Sequence, residues 1–149
     1  MLTFHNTLTR TTEPFKPLVG KKVGLYSCGP TAYNYPHIGN YRAYVFVDLL
    51  KRYLLYRGYK VKHIMNITDV DDKTIRDSQK EGVSLAEFTH RYEKAFFEDI
   101  KALNIMPADR YPKATDHIKE MVAITKALMK KGIAYKSDDG SIYYDIGKF

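Results

Sequence analysis

Apolar and polar positions change their spacing several times along the chain, and each change predicts an element. Residues 21–28 place Val23, Leu25 and Tyr26 before Gly29-Pro30, the pattern of a short strand running into a turn rich in Gly, Pro and Asn. Residues 39–57 are strong helix formers. Their middle, 43–50, is apolar on nearly every face except Asp48, which predicts a helix packed between layers, with Gly58 as its stop. Residues 59–67 offer a second strand through Val61, Ile64, Met65 and Ile67. The segment 21–67 therefore reads as one strand-helix-strand unit, with a parallel, right-handed crossover.

After Asp69-Val70-Asp71-Asp72 a short polar helix is predicted as far as Lys80, stopping at Gly82. Ser84 and Glu87 have capping-box spacing, and Leu85, Phe88, Tyr92, Ala95, Phe96, Ile100 and Leu103 keep to one helical face that Asn104 and Pro107 bring to a close. A third helix is predicted over 115–131, with Ile118, Met121, Val122, Thr125, Leu128 and Met129 on one side and Gly132 at its end. Last comes a hairpin, 133–136 with 141–146, turning at Asp139-Gly140. The class is α/β. No third parallel strand is evident, so the sheet begun at residue 21 is expected to be completed from outside the chain, either by missing parts of a larger protein, the simpler reading, or by another chain.

Composition narrows the classes. The chain has 149 residues, 44% of them hydrophobic and 28% charged, which excludes a disordered or collagen-like chain. The longest apolar run, 43–47, falls far short of the ~18 residues that a membrane-spanning helix needs. The first residues lack the apolar core of a secretory signal, and the single cysteine, Cys28, suits a reducing compartment. A soluble, cytoplasmic protein with no membrane partner is expected. Of the net charge of +7, all the excess lies in residues 1–60, where nine Lys and Arg face only Glu13 and Asp48. That segment also holds eight of the thirteen tyrosines, so phosphate-bearing partners become plausible, ATP and RNA alike.

In an open parallel sheet, ligands bind beyond the carboxyl ends of the strands, where helices begin. Three motifs converge there. The first strand delivers Ser27-Cys28-Gly29-Pro30-Thr31, the helix opens with Pro36-His37-Ile38-Gly39-Asn40, and the second strand delivers Asn66-Ile67-Thr68-Asp69. A helix N-terminus offers unpaired N–H groups and positive potential, and His37 and Asn40 can donate hydrogen bonds to phosphate oxygens. This is equipment for a nucleoside triphosphate.

His37-Ile38-Gly39-Asn40 resembles the His-Ile-Gly-His signature of class I aminoacyl-tRNA synthetases. The stretch 26–33, the run from Asn66 to Lys73, and Pro112-Lys113-Ala114-Thr115 before His117-Ile118 extend the likeness across the chain, to the N-terminal part of the cysteine-tRNA ligase family. The resemblance implies the N-terminal half of a Rossmann-like parallel sheet over 1–104, followed over 105–149 by the helices and hairpin of a connective insertion. It implies ATP-dependent activation of L-cysteine to cysteinyl-adenylate and transfer to tRNA(Cys), with Mg2+ travelling on ATP and the enzyme a monomer.

By the same resemblance the ATP motif is Pro30, Thr31, Ala32, Tyr33, Asn34, Tyr35, Pro36, His37, Ile38, Gly39 and Asn40. His37 and Asn40 stabilise charge on the phosphates, and Asn40 stands where the signature usually has a second histidine. Gly29, Thr31 and Thr68 line the cysteine pocket. Thr68 could equally cap the next helix, whose first-turn acids would be Asp69, Asp71 and Asp72. Cys28 corresponds to the first ligand of a zinc (Zn2+) that grips the substrate thiol, a contact that serine makes far less well, with the other ligands expected beyond residue 149. The second class I signature, Lys-Met-Ser-Lys-Ser, does not occur in the chain. Two other readings remain: a cysteine ligase with an amino-sugar acceptor, as in mycothiol synthesis, and a non-catalytic module that binds nucleotide or RNA.

Overall fold

The computed structural model describes residues 1–148; Phe149, the last residue of the expected insertion, lies outside them. Two compact units divide after Pro112. The first opens with an antiparallel hairpin, β1 (Thr3–Asn6) and β2 (Thr11–Pro14), that the sequence pattern did not announce. Its strands are short and rich in Thr, and the tight turn between them has Arg10, not a glycine, at φ 57°. Phe15 then packs edge-on against both Phe4 and Tyr59, with ring centroids 5.3 and 5.7 Å apart.

The expected strand-helix-strand unit follows: β3 (Lys22–Ser27), α1 (Ile38–Tyr56) and β4 (Lys60–Met65), with β3 and β4 parallel and in register from Lys22–Lys60 to Ser27–Met65. Val23 and Ser27 of β3 and His63 and Met65 of β4 are buried on one face, beneath α1. Next come α2 (Asp72–Glu81) and α3 (Leu85–Ala102). Tyr41 and Tyr44 of α1, Met65 of β4, and Phe96 and Ile100 of α3 form the core cluster, and the Tyr41 hydroxyl donates to Asp99. The glycines expected to stop α1 and α2, Gly58 and Gly82, both have positive φ, and Asn104 at φ 54° ends the α3 segment.

Four sequence expectations need correction. First, the parallel sheet has a third member: the Asp109, Met65 and Ile67 N–H groups donate to His63, Arg110 and Pro112 carbonyls at 2.8, 3.1 and 2.9 Å, so residues 109–112 run parallel along β4. This segment has no apolar alternation, and side chains of α1 hold it in place. Asp48 accepts from the Met106 N–H at 2.8 Å, buried Lys51 donates to the Pro107 carbonyl at 2.6 Å, and Arg52 to the Asn104 carbonyl at 2.6 Å. Ile105, Ala108 and Tyr111 pack on the core of the first unit, which ends at Pro112. Second, α1 is not enclosed between layers: Phe46, Leu49 and Tyr56 are exposed, although Leu2 and Phe4 line an apolar cavity with Phe46 and Leu49. Third, Ser84 caps α3 by accepting from the Glu87 N–H at 3.2 Å, and it does so as a simple N-cap. Fourth, the apolar side of the third long helix is only partly covered, as the second unit shows.

That unit, from Lys113 onward, begins with a 3-10 turn (Thr115–His117) and continues as α4 (Ile118–Lys130) and the hairpin of β5 (Ala134–Lys136) and β6 (Ile142–Tyr144). On α4 only Thr125 and Leu128 are half-buried, while Ile118, Met121, Val122 and Met129 are exposed.

Candidate active site

The chain leaves β3 at Cys28 and β4 at Asn66, and the two exits stay coupled past the strands. Thr68 N–H donates to the Pro30 carbonyl and Ala32 N–H to the Thr68 carbonyl, both at 3.0 Å, so Thr31 and Thr68 form a further parallel bridge. Asn66 is the knot. Its Oδ1 accepts from the Tyr26 hydroxyl at 3.0 Å and the Gly29 N–H at 3.2 Å, and its Nδ2 donates to the Thr68 hydroxyl at 3.1 Å. The approach is so close that a Cβ on Gly29 would stand 1.8 Å from the Asn66 carbonyl oxygen. Only glycine fits there.

The loop then delivers α1 with its N-terminus toward a cavity of about 330 Å³. His37 is the N-cap. Its Nδ1 accepts from the Gly39 N–H at 3.0 Å, and its own N–H donates to Asn40 Oδ1 at 3.0 Å. This reciprocal cap has two chemical consequences. With Nδ1 used as an acceptor, the neutral ring carries its proton on Nε2 and presents a donor there. With Oδ1 of Asn40 engaged, the side chain turns its amide Nδ2, a donor, to other partners. Gly39 makes the cap possible, since a Cβ at that position would stand 2.8 Å from His37 Cε1. No acidic residue sits in the first turn of α1, so the positive end of its dipole is not neutralised locally.

Residues 29–31, 33–37 and 40 line the cavity, joined by Tyr44 and Lys73. Of the expected ATP motif, three members stand off the walls: Ala32 is buried beneath them, Ile38 points to solvent at 83% exposure, and Gly39 lies behind the His37 ring. Of the expected cysteine-pocket residues, Gly29 and Thr31 are on the wall. Thr68 is one step behind, held by Asn66 and the Thr31 bridge, and it is not the cap of α2. That cap is Asp71, whose Oδ1 accepts from the N–H groups of Lys73 and Thr74 at 2.8 and 3.1 Å. Asp72 is in the first turn of α2, and Asp69 is buried before it.

Sequence reasoning did not single out Asn66, Tyr44 or Lys73 as site residues. Tyr44 looked like a core residue of an apolar helix, and it is one: its ring packs edge-on against Phe96 at 5.3 Å. Burial, with a smaller contribution from Cys28, pushes its phenol up, so the hydroxyl stays protonated. Lys73 lies with its ammonium 4.5 Å above the Tyr33 ring centroid. A signal for it did exist, because a lysine in the first turn of a helix works against the dipole.

Cys28, just past β3, is exposed. Among the described residues no group of three or more His, Cys, Asp or Glu side chains could hold a metal ion. A zinc site needs about four donors, and Cys28 supplies one, so the residues present do not by themselves fit a bound zinc.

A family model described as the class I (C) tRNA synthetase catalytic domain matches residues 14–149. The chain belongs to the class I (C) tRNA synthetase family. Its α/β fold with a parallel sheet is that of the N-terminal, Rossmann-like half of such synthetase domains, in agreement with the expectation. Among curated relatives, a cysteine–tRNA ligase of Brachyspira hyodysenteriae is 56% identical over 148 residues, 99% of this chain. The chain spans about a third of that relative's length, 31%. Two solved synthetases share the fold. The LeuRS–tRNA–LeuAMS ternary complex of Agrobacterium radiobacter K84 superposes with a TM-score of 0.65 at 23% identity over 76% of this chain and 15% of its own. Methionyl-tRNA synthetase of Mycobacterium tuberculosis, in complex with methionyl-adenylate, gives 0.64 at 24% identity over 75% of this chain and 23% of its own. No helix among the described residues is long and apolar enough to cross a membrane.

Proposed function

We propose that this chain is the N-terminal catalytic segment of an enzyme that activates L-cysteine with ATP and transfers it to tRNA(Cys). The observation that carries the proposal is the His37–Asn40 cap at the positive end of α1, opening on a cavity beyond the carboxyl ends of two parallel strands. The 56% identity to a cysteine–tRNA ligase supplies the amino acid.

In the activation step a cysteine carboxylate oxygen attacks the α-phosphorus of ATP. A bond forms between them, the bond from the α-phosphorus to the α,β-bridging oxygen breaks, and pyrophosphate leaves; Mg2+, if carried in on ATP, would help to balance the phosphate charge. No group on this chain needs to exchange a proton in that step, so its contribution is electrostatic and positional. His37 donates through Nε2 and Asn40 through Nδ2 to phosphoryl oxygens as negative charge redistributes over them. The N–H groups at the start of α1 add the helix-end potential. Gly29 and Thr31 leave room on the wall for a small amino acid, and Thr68, behind them, fixes the loop through Asn66. Cys28 would give one thiolate to a zinc that takes the substrate thiol. With one donor of about four among the described residues, no step is derived through that ion.

Cysteine-dependent ATP–pyrophosphate exchange tests the proposal, with serine as the control amino acid. The assay is run on the chain alone and on the chain joined to the remaining part of the Brachyspira relative. Exchange with cysteine and not with serine, in either form, supports it. Equal exchange with both amino acids, or none in both forms, refutes it.

A further inference from the structure

Among the residues that line the cavity, Lys73 is the one Lys or Arg, and no Asp or Glu stands with it. Two neighbouring acids have other partners, while Asp72 stands beside it in the first turn of α2 and Asp77 also feels its charge. Asp71 commits its carboxylate to the first N–H groups of α2, and Asp77 is held by Arg76 through two hydrogen bonds of 2.7 and 2.9 Å. What supports the ammonium is an aromatic face, the Tyr33 ring, at 4.5 Å from its centroid. A cation over a ring at an exposed site is held more weakly than a hydrogen-bonded ion pair in the dry part of a pocket. The position also carries a cost, since Lys73 is the second residue of α2, where the helix dipole disfavours a positive charge. The structure therefore holds a cation over an aromatic face, in the wall of a cavity whose lining has no acidic side chain.

We propose that Lys73 is a phosphate-binding residue of this pocket, with its ammonium seated on Tyr33 to receive the phosphate chain of a nucleoside triphosphate. The proposal rests on the ATP reading of the cavity and adds a lysine ammonium to the donors that His37 and Asn40 supply. With His37 and Asn40 at the α1 end and Lys73 at the start of α2, the phosphates are held between two helix N-termini, and the adenosine is left to uncharged parts of the wall. Tyr33 is then a positioning residue acting through Lys73.

Equilibrium binding of ATP, AMP and adenosine to the chain tests it, for the wild type, Lys73→Gln, Lys73→Arg and Tyr33→Leu. Removing one charged hydrogen bond to phosphate weakens binding about tenfold or more. Lys73→Gln is expected to lose that factor for ATP, less for AMP and none for adenosine. Lys73→Arg should keep most of the ATP affinity, and Tyr33→Leu should fall between the two. Exposed Lys73 contributes little to folding, and far-ultraviolet circular dichroism of each variant confirms that α2 is intact. Equal loss for ATP and adenosine, or unchanged ATP affinity in Lys73→Gln, overturns the Lys73 assignment while the ATP reading stands. Failure of the wild type to bind ATP overturns both.

Discussion

Gly29→Ala isolates what ties the two strand exits together. The added Cβ would stand 1.8 Å from the Asn66 carbonyl oxygen, where ordinary contact begins near 3.4 Å, and it would also meet Met65 Cγ at 2.9 Å. The obstacle is backbone, so no rotamer change relieves it. The loop at residue 29 must retreat by about 1.6 Å from β4, enough to break the 3.2 Å hydrogen bond from the Gly29 N–H to Asn66. The two 3.0 Å bonds joining Pro30 and Ala32 to Thr68 are strained with it. Overpacking costs about 1 to 3 kcal/mol, and a lost hydrogen bond about 1 kcal/mol, so the expected destabilisation is roughly 2 to 4 kcal/mol. That is a large share of the ~5 to 15 kcal/mol typical of a domain. Urea unfolding followed by circular dichroism measures it, with Gly24→Ala as the control. Gly24 lies within β3, and a methyl group added there would have nothing within 4 Å, so alanine should be neutral or slightly stabilising. An unfolding midpoint for Gly29→Ala equal to that of the wild type, at equal urea dependence, would refute the close-approach account.

Gly39→Ala should separate the site from the fold: its Cβ displaces the His37 ring while α1 keeps its other contacts. ATP affinity is expected to fall by about tenfold with a stability change under roughly 1 kcal/mol, and an unchanged affinity counts against the role given to the cap. His63 makes stability depend on pH. Burial first, then Lys51, holds its imidazole below the ordinary value of 6.5, against an opposing pull from Asp109; Ser27 faces its Nε2 at 2.8 Å. The folded chain therefore binds the proton less readily than the unfolded one, so stability is fully present above 6.5 and is lost as pH falls through the lower folded value. Denaturation midpoints measured between pH 7 and 5 should drop less in His63→Gln than in the wild type, and parallel curves would exclude His63 as the cause. Lys51→Met should raise the His63 titration midpoint seen by NMR, because it removes the neighbouring positive charge, and should destabilise the chain by about 1 to 3 kcal/mol by leaving the Pro107 carbonyl unpaired. A titration midpoint that stays in place would show that burial alone sets it.

The strand-helix-strand unit, the three long helices and the terminal hairpin were legible because each rests on a local rule: apolar spacing of two or of three and four, a capping side chain, a glycine or asparagine able to take positive φ. The cap at His37 was not foreseen: the sequence pattern gave His37 and Asn40 to phosphate oxygens, and the structure shows that the two also cap α1 through partners within three residues. What else remained hidden depends on contacts distant in sequence. Residues 109–112 have no strand pattern of their own and join the sheet because Asp48, Lys51 and Arg52, more than fifty residues earlier, grip the chain just ahead of them. The hairpin at residues 3–14 escaped because its Thr-rich strands lack a clean alternation and its turn uses Arg10 in place of glycine. Tyr44 and Lys73 became site residues only when tertiary packing brought the middle of α1 and the start of α2 to one cavity. A linear sequence encodes periodicity and capping directly, whereas which side chains share a wall is set by how the helices settle on the sheet.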